Sequence, residues 1–314
     1  MLEILFTVLP VFAVLAAGYV AVRSGYLPVT VADALNAFTV RLAVPVLLTR
    51  AMYRLDLSAA FHPPMLISFY TGAILCFVTA IVFARVFWKR RPGEAVAVGF
   101  SATFSNTVLL GLPIVERAFG PAALTPAYGI VALHAPMLYA IGMLTMEIAR
   151  RDGRPLSEAL VTALRSILAN PLMIGILTGA ALNLANIELG EPLIAAVDLL
   201  SNAAIPAALV GIGASLTQYR LRAEWSEAAT VSAITLMLHP AIALAVAHFG
   251  FALPPEQMRT AVLLAAMPPG MNIYVFAVMY QRAQALAASA ILMATAASVV
   301  TISVWLAVLR IAAP

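Results

Sequence analysis

Long apolar runs alternate with short polar turns along the whole chain, and ten of the runs are long enough to cross a bilayer. They cover roughly 3–22, 31–49, 65–87, 94–118, 122–149, 158–185, 191–216, 225–250, 255–281 and 284–311, and are numbered here as segments 1 to 10. Arg23-Ser24-Gly25-Tyr26-Leu27-Pro28 and Trp88-Lys89-Arg90-Arg91-Pro92-Gly93 are clear turns. The most charged piece, Arg150-Arg151-Asp152-Gly153-Arg154-Pro155, separates five segments from five. Glu3 is the only charge before Arg23, so no basic region precedes the first run. It reads as a retained helix rather than a signal peptide.

Two segments break this pattern. Segment 4 contains Ser101-Ala102-Thr103-Phe104-Ser105-Asn106-Thr107, followed by Gly111 and Pro113. Segment 9 contains Met267-Pro268-Pro269-Gly270-Met271-Asn272. Interrupted backbone is tolerated at membrane depth only where protein or a water-filled cavity surrounds it. A pair of such interruptions at corresponding places in two halves points to a transporter's binding site.

Two halves are legible in the helix-breaking residues. Pro10 and Pro171, Gly18 and Gly179, and Pro45 and Pro206 are each 161 positions apart. The same offset sets Asn106 on Met267 and Gly111 on Asn272. Five segments per half is odd, so the second half enters the membrane the other way up. The expected fold is an all-α integral membrane protein: ten transmembrane helices in two inverted five-helix repeats, with broken crossing helices 4 and 9. The repeats cover 1–149 and 159–314, joined by a basic loop at 150–158.

Composition agrees with the pattern. Of the 314 residues, 63% are hydrophobic and 10% charged, with a mean hydropathy of +0.99, against about 25% charged residues in soluble domains. Twelve of the 18 Lys and Arg fall on the loops and flanks after segments 1, 3, 5, 7 and 9. The positive-inside rule then puts the protein in the cytoplasmic membrane with both termini outside. The net charge of +4 is thus a topology signal and implies no nucleic-acid partner. Cys76 stands alone, which excludes an intramolecular disulfide and a cysteine metal site.

A broken helix exposes N–H groups at one end and carbonyls at the other. The N-terminal ends favour anions. Asn106 and Asn272 add neutral amides, and Ser101, Thr103, Ser105 and Thr107 add hydroxyls. Such a site suits a carboxylate better than a sugar or a metal, and no cofactor is expected. Zinc-protease, nucleophile-elbow and P-loop motifs are absent from the sequence, which argues against an enzyme and an ATP-driven pump.

Asn106 with Gly111-Leu112-Pro113, Asn170-Pro171, Ile205-Pro206-Ala207-Ala208-Leu209 running to Gly211-Ile212-Gly213, and Met267-Pro268 through Asn272 to Tyr280 resemble the auxin efflux carrier family. Its PIN-like members include malonate and malate permease-like proteins, and the resemblance covers essentially the whole chain. It implies a scaffold of segments 1, 2, 6 and 7 and a transport unit of segments 3–5 and 8–10. It also implies that segments 4 and 9 cross at prolines beside a bound organic anion. Asn106, Pro113, Pro268 and Asn272 are the crossover positions by that resemblance. The doubled Pro268-Pro269 departs from the pattern and is expected to shift the break by a residue. The long loop of plant hormone carriers is missing, which argues against auxin itself.

The candidate substrate site is therefore Ser105, Asn106, Gly111, Pro113, Pro268, Pro269, Gly270 and Asn272, with Ser201 and Asn202 lining from the scaffold side. His134 and His239 each neighbour a proline. Each is either a proton-coupling group or a neutral ring bonded to a freed carbonyl. Asp198 is expected to pair with Arg41, with Arg41 as counter-charge of the anion kept as an alternative. Glu116 and Arg117 read as a solvated helix end. The favoured function is a secondary carrier of a small carboxylate or dicarboxylate by alternating access. A sodium-coupled symporter of the bile-acid type and a non-transporting membrane sensor remain as alternatives. Proton or sodium coupling and a homodimer stay open.

Overall fold

Prolines open most of the helices in the computed structural model, which describes residues 2–150, 157, 161, 164–165, 168–218 and 224–313. Pro63 and Pro64, Pro92, Pro171, Pro192 and Pro255 each lie in the first turn, where a missing N–H costs nothing. Asn170 accepts the Leu172 N–H at 2.9 Å and caps segment 6. Gly25 and Gly120 take φ values of 79° and 84° and end segments 1 and 4.

The described residues are helical throughout apart from turns and one isolated bridge. Among the described residues, seven helices are long and apolar enough to span: Phe6–Arg23, Thr30–Arg54, Pro63–Val86, Pro121–Arg150, Glu191–Leu216, Trp225–Gly250 and Gln284–Ala312. These are segments 1, 2, 3, 5, 7, 8 and 10. Segments 4 and 9 are absent from the seven because each is split. Segment 4 is Pro92–Thr103, then a π turn Thr107–Gly111 running into Leu112–Phe119. Segment 9 is Pro255–Ala265 and Asn272–Tyr280. Segment 6 is described as the shorter helix Pro171–Leu184. The basic loop at 151–156, most of 158–167, and Arg220 and Arg222 lie outside the described residues.

Three π turns end two residues before a proline: Thr39–Ala43 before Pro45, Thr107–Gly111 before Pro113, and Ile234–Leu238 before Pro240. Proline has no N–H to donate, and its ring crowds the carbonyl four residues back. The turn widens to relieve both. A carbonyl of the third π turn, Leu236 O, is taken up at 2.8 Å by the indole N–H of Trp305 on segment 10.

Glycines set the closest helix contacts. A Cβ on Gly18 of segment 1 would lie 2.2 Å from Val210 O of segment 7, and one on Gly179 of segment 6 would lie 2.3 Å from Thr49 O of segment 2. Residues 18 and 179 are 161 apart, and so are 49 and 210. Gly213 meets Leu15 and Gly175 meets Pro45 just as closely. Small residues at membrane helix interfaces permit such backbone approach. Asn183 ties segment 6 to the end of segment 2, donating to Met52 O, Tyr53 O and Leu55 O at 2.8–3.0 Å.

On segment 3, Ile67, Ile74, Leu75, Val78 and Val82 face outward, while Phe69, Ala73, Cys76 and Ala80 are buried. Leu199 on segment 7 is 74% exposed. Apolar exposure of this extent belongs against lipid. On one polar end, Arg90 reaches Glu224 at 2.9 Å and Glu227 at 3.0 Å, fixing the turn between segments 3 and 4 to the start of segment 8. Burial alone would lower the Arg90 pKa, but the bonds to both carboxylates outweigh it and hold the guanidinium above its usual value.

Asp198 pairs with Arg50 and, at 3.5 Å, with Arg54, not with Arg41. All three arginines lie on segment 2, but Arg41 precedes Pro45 and lies on an exposed face. Its position also removes it as counter-charge, since it is not in the cavity wall described below. Glu116 and Arg117 are exposed at the end of segment 4, as their sequence suggests, and Arg117 reaches Thr7 O.

Candidate functional site

Segment 4 stops being helical at Phe104, whose backbone turns to ψ 84°, and Asn106 caps the next start by accepting the Leu109 N–H at 3.2 Å. Segment 9 stops at Ala266 because Pro268 and Pro269 cannot continue a helix and disfavour it in the residue before them. Each interruption frees backbone groups that must be paired inside a membrane. They pair with each other. Asn106 N–H donates to Pro268 O at 2.8 Å, Gly270 N–H donates to Phe104 O at 3.1 Å, and Ser105 and Pro269 face each other in an antiparallel bridge.

Two buried histidines hold this junction. His134 Nε2 donates to Ser105 O at 3.0 Å, since a carbonyl only accepts. His239 Nε2 donates to Phe69 O at 3.1 Å, which leaves its Nδ1 to accept the Ser105 hydroxyl at 3.4 Å. Phe69 packs edge-on against both rings. Gly72 makes room, because a Cβ there would lie 2.7 Å from the His239 ring.

Beside the junction is a cavity of about 230 Å³. One wall is Asn36, Thr39, Val40, Val44 and Leu48 of segment 2 with Leu172 and Ile176 of segment 6. The opposite wall comes from segments 4, 5 and 9. It includes Ser105 to Leu109, His134, and Gly270 to Asn272. The first turns after both interruptions therefore face the cavity with their N-terminal ends. Among the described residues, no Asp, Glu, Lys or Arg lines it. Tyr139 donates to Asn272 Oδ1 at 3.2 Å, and Leu109 N–H occupies Asn106 Oδ1, so both amide NH2 groups are what remains for a ligand. Thr39 Oγ1 and His134 Nδ1 are buried with no protein partner. The arrangement presents donors and two positive helix ends to a small anion.

Of the residues picked out in the sequence, Ser105, Asn106, Gly270, Asn272 and His134 lie together in the cavity wall. Pro268 and Pro269 form the paired backbone behind it. Gly111 and Pro113 are buried one turn further on, and Gly111 lets Leu264 of segment 9 approach. His239 stands behind Ser105, outside the lining. Ser201 is buried but outside the wall, and Asn202 is exposed, so neither is part of the cavity lining. Segment 2 fills that place. Ser101 and Thr103 spend their hydroxyls on Ala97 O and Ala73 O, whereas Thr107 lines the cavity. Asn36, Thr39 and Tyr139 escaped the sequence reading. A lone Asn inside an apolar span was the available signal for Asn36, while nothing in sequence marks Thr39 or Tyr139.

The family model Mem_trans, described as "Membrane transport protein", matches residues 3–306. The chain belongs to the Mem_trans family. Among the curated relatives of this Mem_trans protein, a "Putative malonate transporter" of Rhizobium meliloti (strain 1021) is 27% identical over 312 residues, covering 99% of this chain and 97% of that protein. An "Uncharacterized transporter" of Methanothermobacter thermautotrophicus is 27% identical over 311 residues, 96% of this chain and 97% of that one. A "Lysosomal cholesterol signaling protein" of Mus musculus is 29% identical over 184 residues, 55% of this chain and 21% of that one. This auxin efflux carrier-like Mem_trans chain is thus a multi-pass membrane transporter.

Proposed function

We propose that the protein is a secondary carrier that moves a small carboxylate, a dicarboxylate such as malonate among them, across the cytoplasmic membrane by alternating access. The observation that carries this is the meeting of two helix starts on one uncharged cavity. Two partial positive charges compensate an anion without a lysine or arginine that would hold it too tightly to release. The similarity to the "Putative malonate transporter" of Rhizobium meliloti supports the substrate class.

The architecture in this reading is ten helices in two inverted repeats, with segments 4 and 9 crossing at their interruptions and both termini outside. Reciprocal contacts support it: Gly18 on Val210 is matched by Gly179 on Thr49, and the two bonds of the junction exchange partners. Segments 1, 2, 6 and 7 form the fixed side, and segments 3–5 and 8–10 carry the junction past them. The cavity lies along that division. Asn106, Asn272, Ser105, Thr107 and Gly270 bind the anion in this reading, with Asn36 and Thr39 opposite.

Counterflow of labelled malonate in proteoliposomes tests the proposal. Uptake by the native protein and its loss in Asn106→Ala with Asn272→Ala are the expected result. Native rates in the double variant would end it. A sensor that binds without transport is the second reading, prompted by the signalling relative. Saturable binding with no counterflow would select it. Sodium coupling ranks lower because no carboxylate lines the cavity among the described residues.

A further inference from the structure

The cavity compensates one negative charge, and a dicarboxylate at neutral pH carries two. Two helix starts supply about half an elementary charge each, roughly one in total. Among the described residues, no Asp, Glu, Lys or Arg lines the wall. A second carboxylate buried there would be an unpaired charge at membrane depth, which is costly unless it is neutralised.

One group in the wall fits that task. His134 uses Nε2 as donor to Ser105 O. Its Nδ1 is buried and has no partner, and the ring forms part of the cavity wall. With Nε2–H committed, Nδ1 either accepts from a protonated carboxyl or, once protonated, donates to a carboxylate. His239 cannot do the same, because both of its nitrogens are engaged by Phe69 O and Ser105 Oγ. The other titratable groups around the ring are occupied elsewhere. The Tyr70 hydroxyl donates to Ile130 O, and the Tyr139 hydroxyl donates to Asn272. Among the described residues, segments 2, 6 and 9 bring no titratable side chain to the cavity.

We infer that the site takes a dicarboxylate together with one proton, shared between His134 Nδ1 and the carboxylate remote from the two helix starts. The proton comes from solvent with the ligand and leaves with it, so the bound cargo has a net charge of minus one. A monocarboxylate brings no proton. The inference rests on the carrier reading above and specifies its cargo.

Calorimetric titration of the purified protein with malonate and with propionate, in two buffers of different ionisation enthalpy, counts the protons. About one proton taken up per malonate near pH 8, and none per propionate, is expected. Malonate affinity should then tighten about tenfold per unit fall in pH. His134→Gln keeps a donor for Ser105 O and should lose the malonate-linked proton while still binding propionate. Malonate binding without proton uptake in the native protein overturns the inference and leaves the carrier standing. An undiminished proton count in His134→Gln overturns the assignment to His134. No binding and no counterflow of either acid overturns the carrier reading itself.

Discussion

His134 and His239, from segments 5 and 8, meet on a single residue: one bonds the carbonyl of Ser105 and the other its hydroxyl. Ser105 is also the residue that faces Pro269 across the two interruptions. The histidines thus fix where segment 4 breaks. Replacing His239 by Ala leaves Phe69 O without its donor and Ser105 Oγ without its acceptor. Each unsatisfied buried group costs about 1–3 kcal/mol. The expected outcome is a clear fall in melting temperature in detergent, together with slower counterflow. A variant that melts and transports like the native protein would show that the junction does not depend on this ring.

The glycine contacts make a paired prediction. Gly18→Ala and Gly179→Ala each drive a methyl into a backbone carbonyl of the facing helix, at 2.2 and 2.3 Å. Backbone cannot step aside as a side chain tip can, so each should cost about 1–3 kcal/mol. The two losses should be similar, because the two contacts have the same form. Gly250→Ala meets nothing closer than 3.6 Å and is the neutral control. Thermal unfolding of the three variants checks the set, and unequal losses at 18 and 179 would count against the repeat.

Asp198 serves two arginines at the end of segment 2. The three side chains are partly exposed, so the network is worth about 1 kcal/mol or less. Asp198→Ala should lower stability by that amount, and Arg41→Gln should leave it unchanged. The reverse result would restore the pairing expected from the sequence.

Much of this was legible in the residues alone. Apolar runs and turn residues locate the helices because the bilayer dictates their length. Pro268-Pro269 and the polar stretch around Asn106 locate the interruptions because nothing else explains them in a span. What escaped has physical causes. Which arginine of segment 2 meets Asp198 depends on how the helices rotate against each other. Arg41 and Arg50 are nine positions apart, and hydrophobic pattern does not choose between them. Ser201 and Asn202 looked like lining because Pro206 follows them, yet segment 2 closes that side. Tyr139 is invisible as a partner of Asn272 until segments 5 and 9 are brought together.

Asn106 separates fold from function more sharply than any other position. Its Oδ1 caps the second half of segment 4, and its amide NH2 is left to the cavity. Asn106→Ala removes both roles and costs about 1 kcal/mol through the lost cap, so a loss of transport in that variant has two explanations. Asn106→Asp removes only one. A carboxylate still accepts the Leu109 N–H, and its charge suits a helix start, which adds about 0.3–1 kcal/mol. The variant should therefore melt no lower than the native protein. Its charge nevertheless consumes the positive potential that the ligand would use and repels a second anion. Counterflow of malonate should fall by about a hundredfold or more, on the order of a lost charge-assisted pair turned repulsive. Retained stability with abolished anion transport places the site at this helix start. Unimpaired transport of malonate by Asn106→Asp would place it somewhere else, and a gain in cation binding would reverse the sign assigned to the cavity.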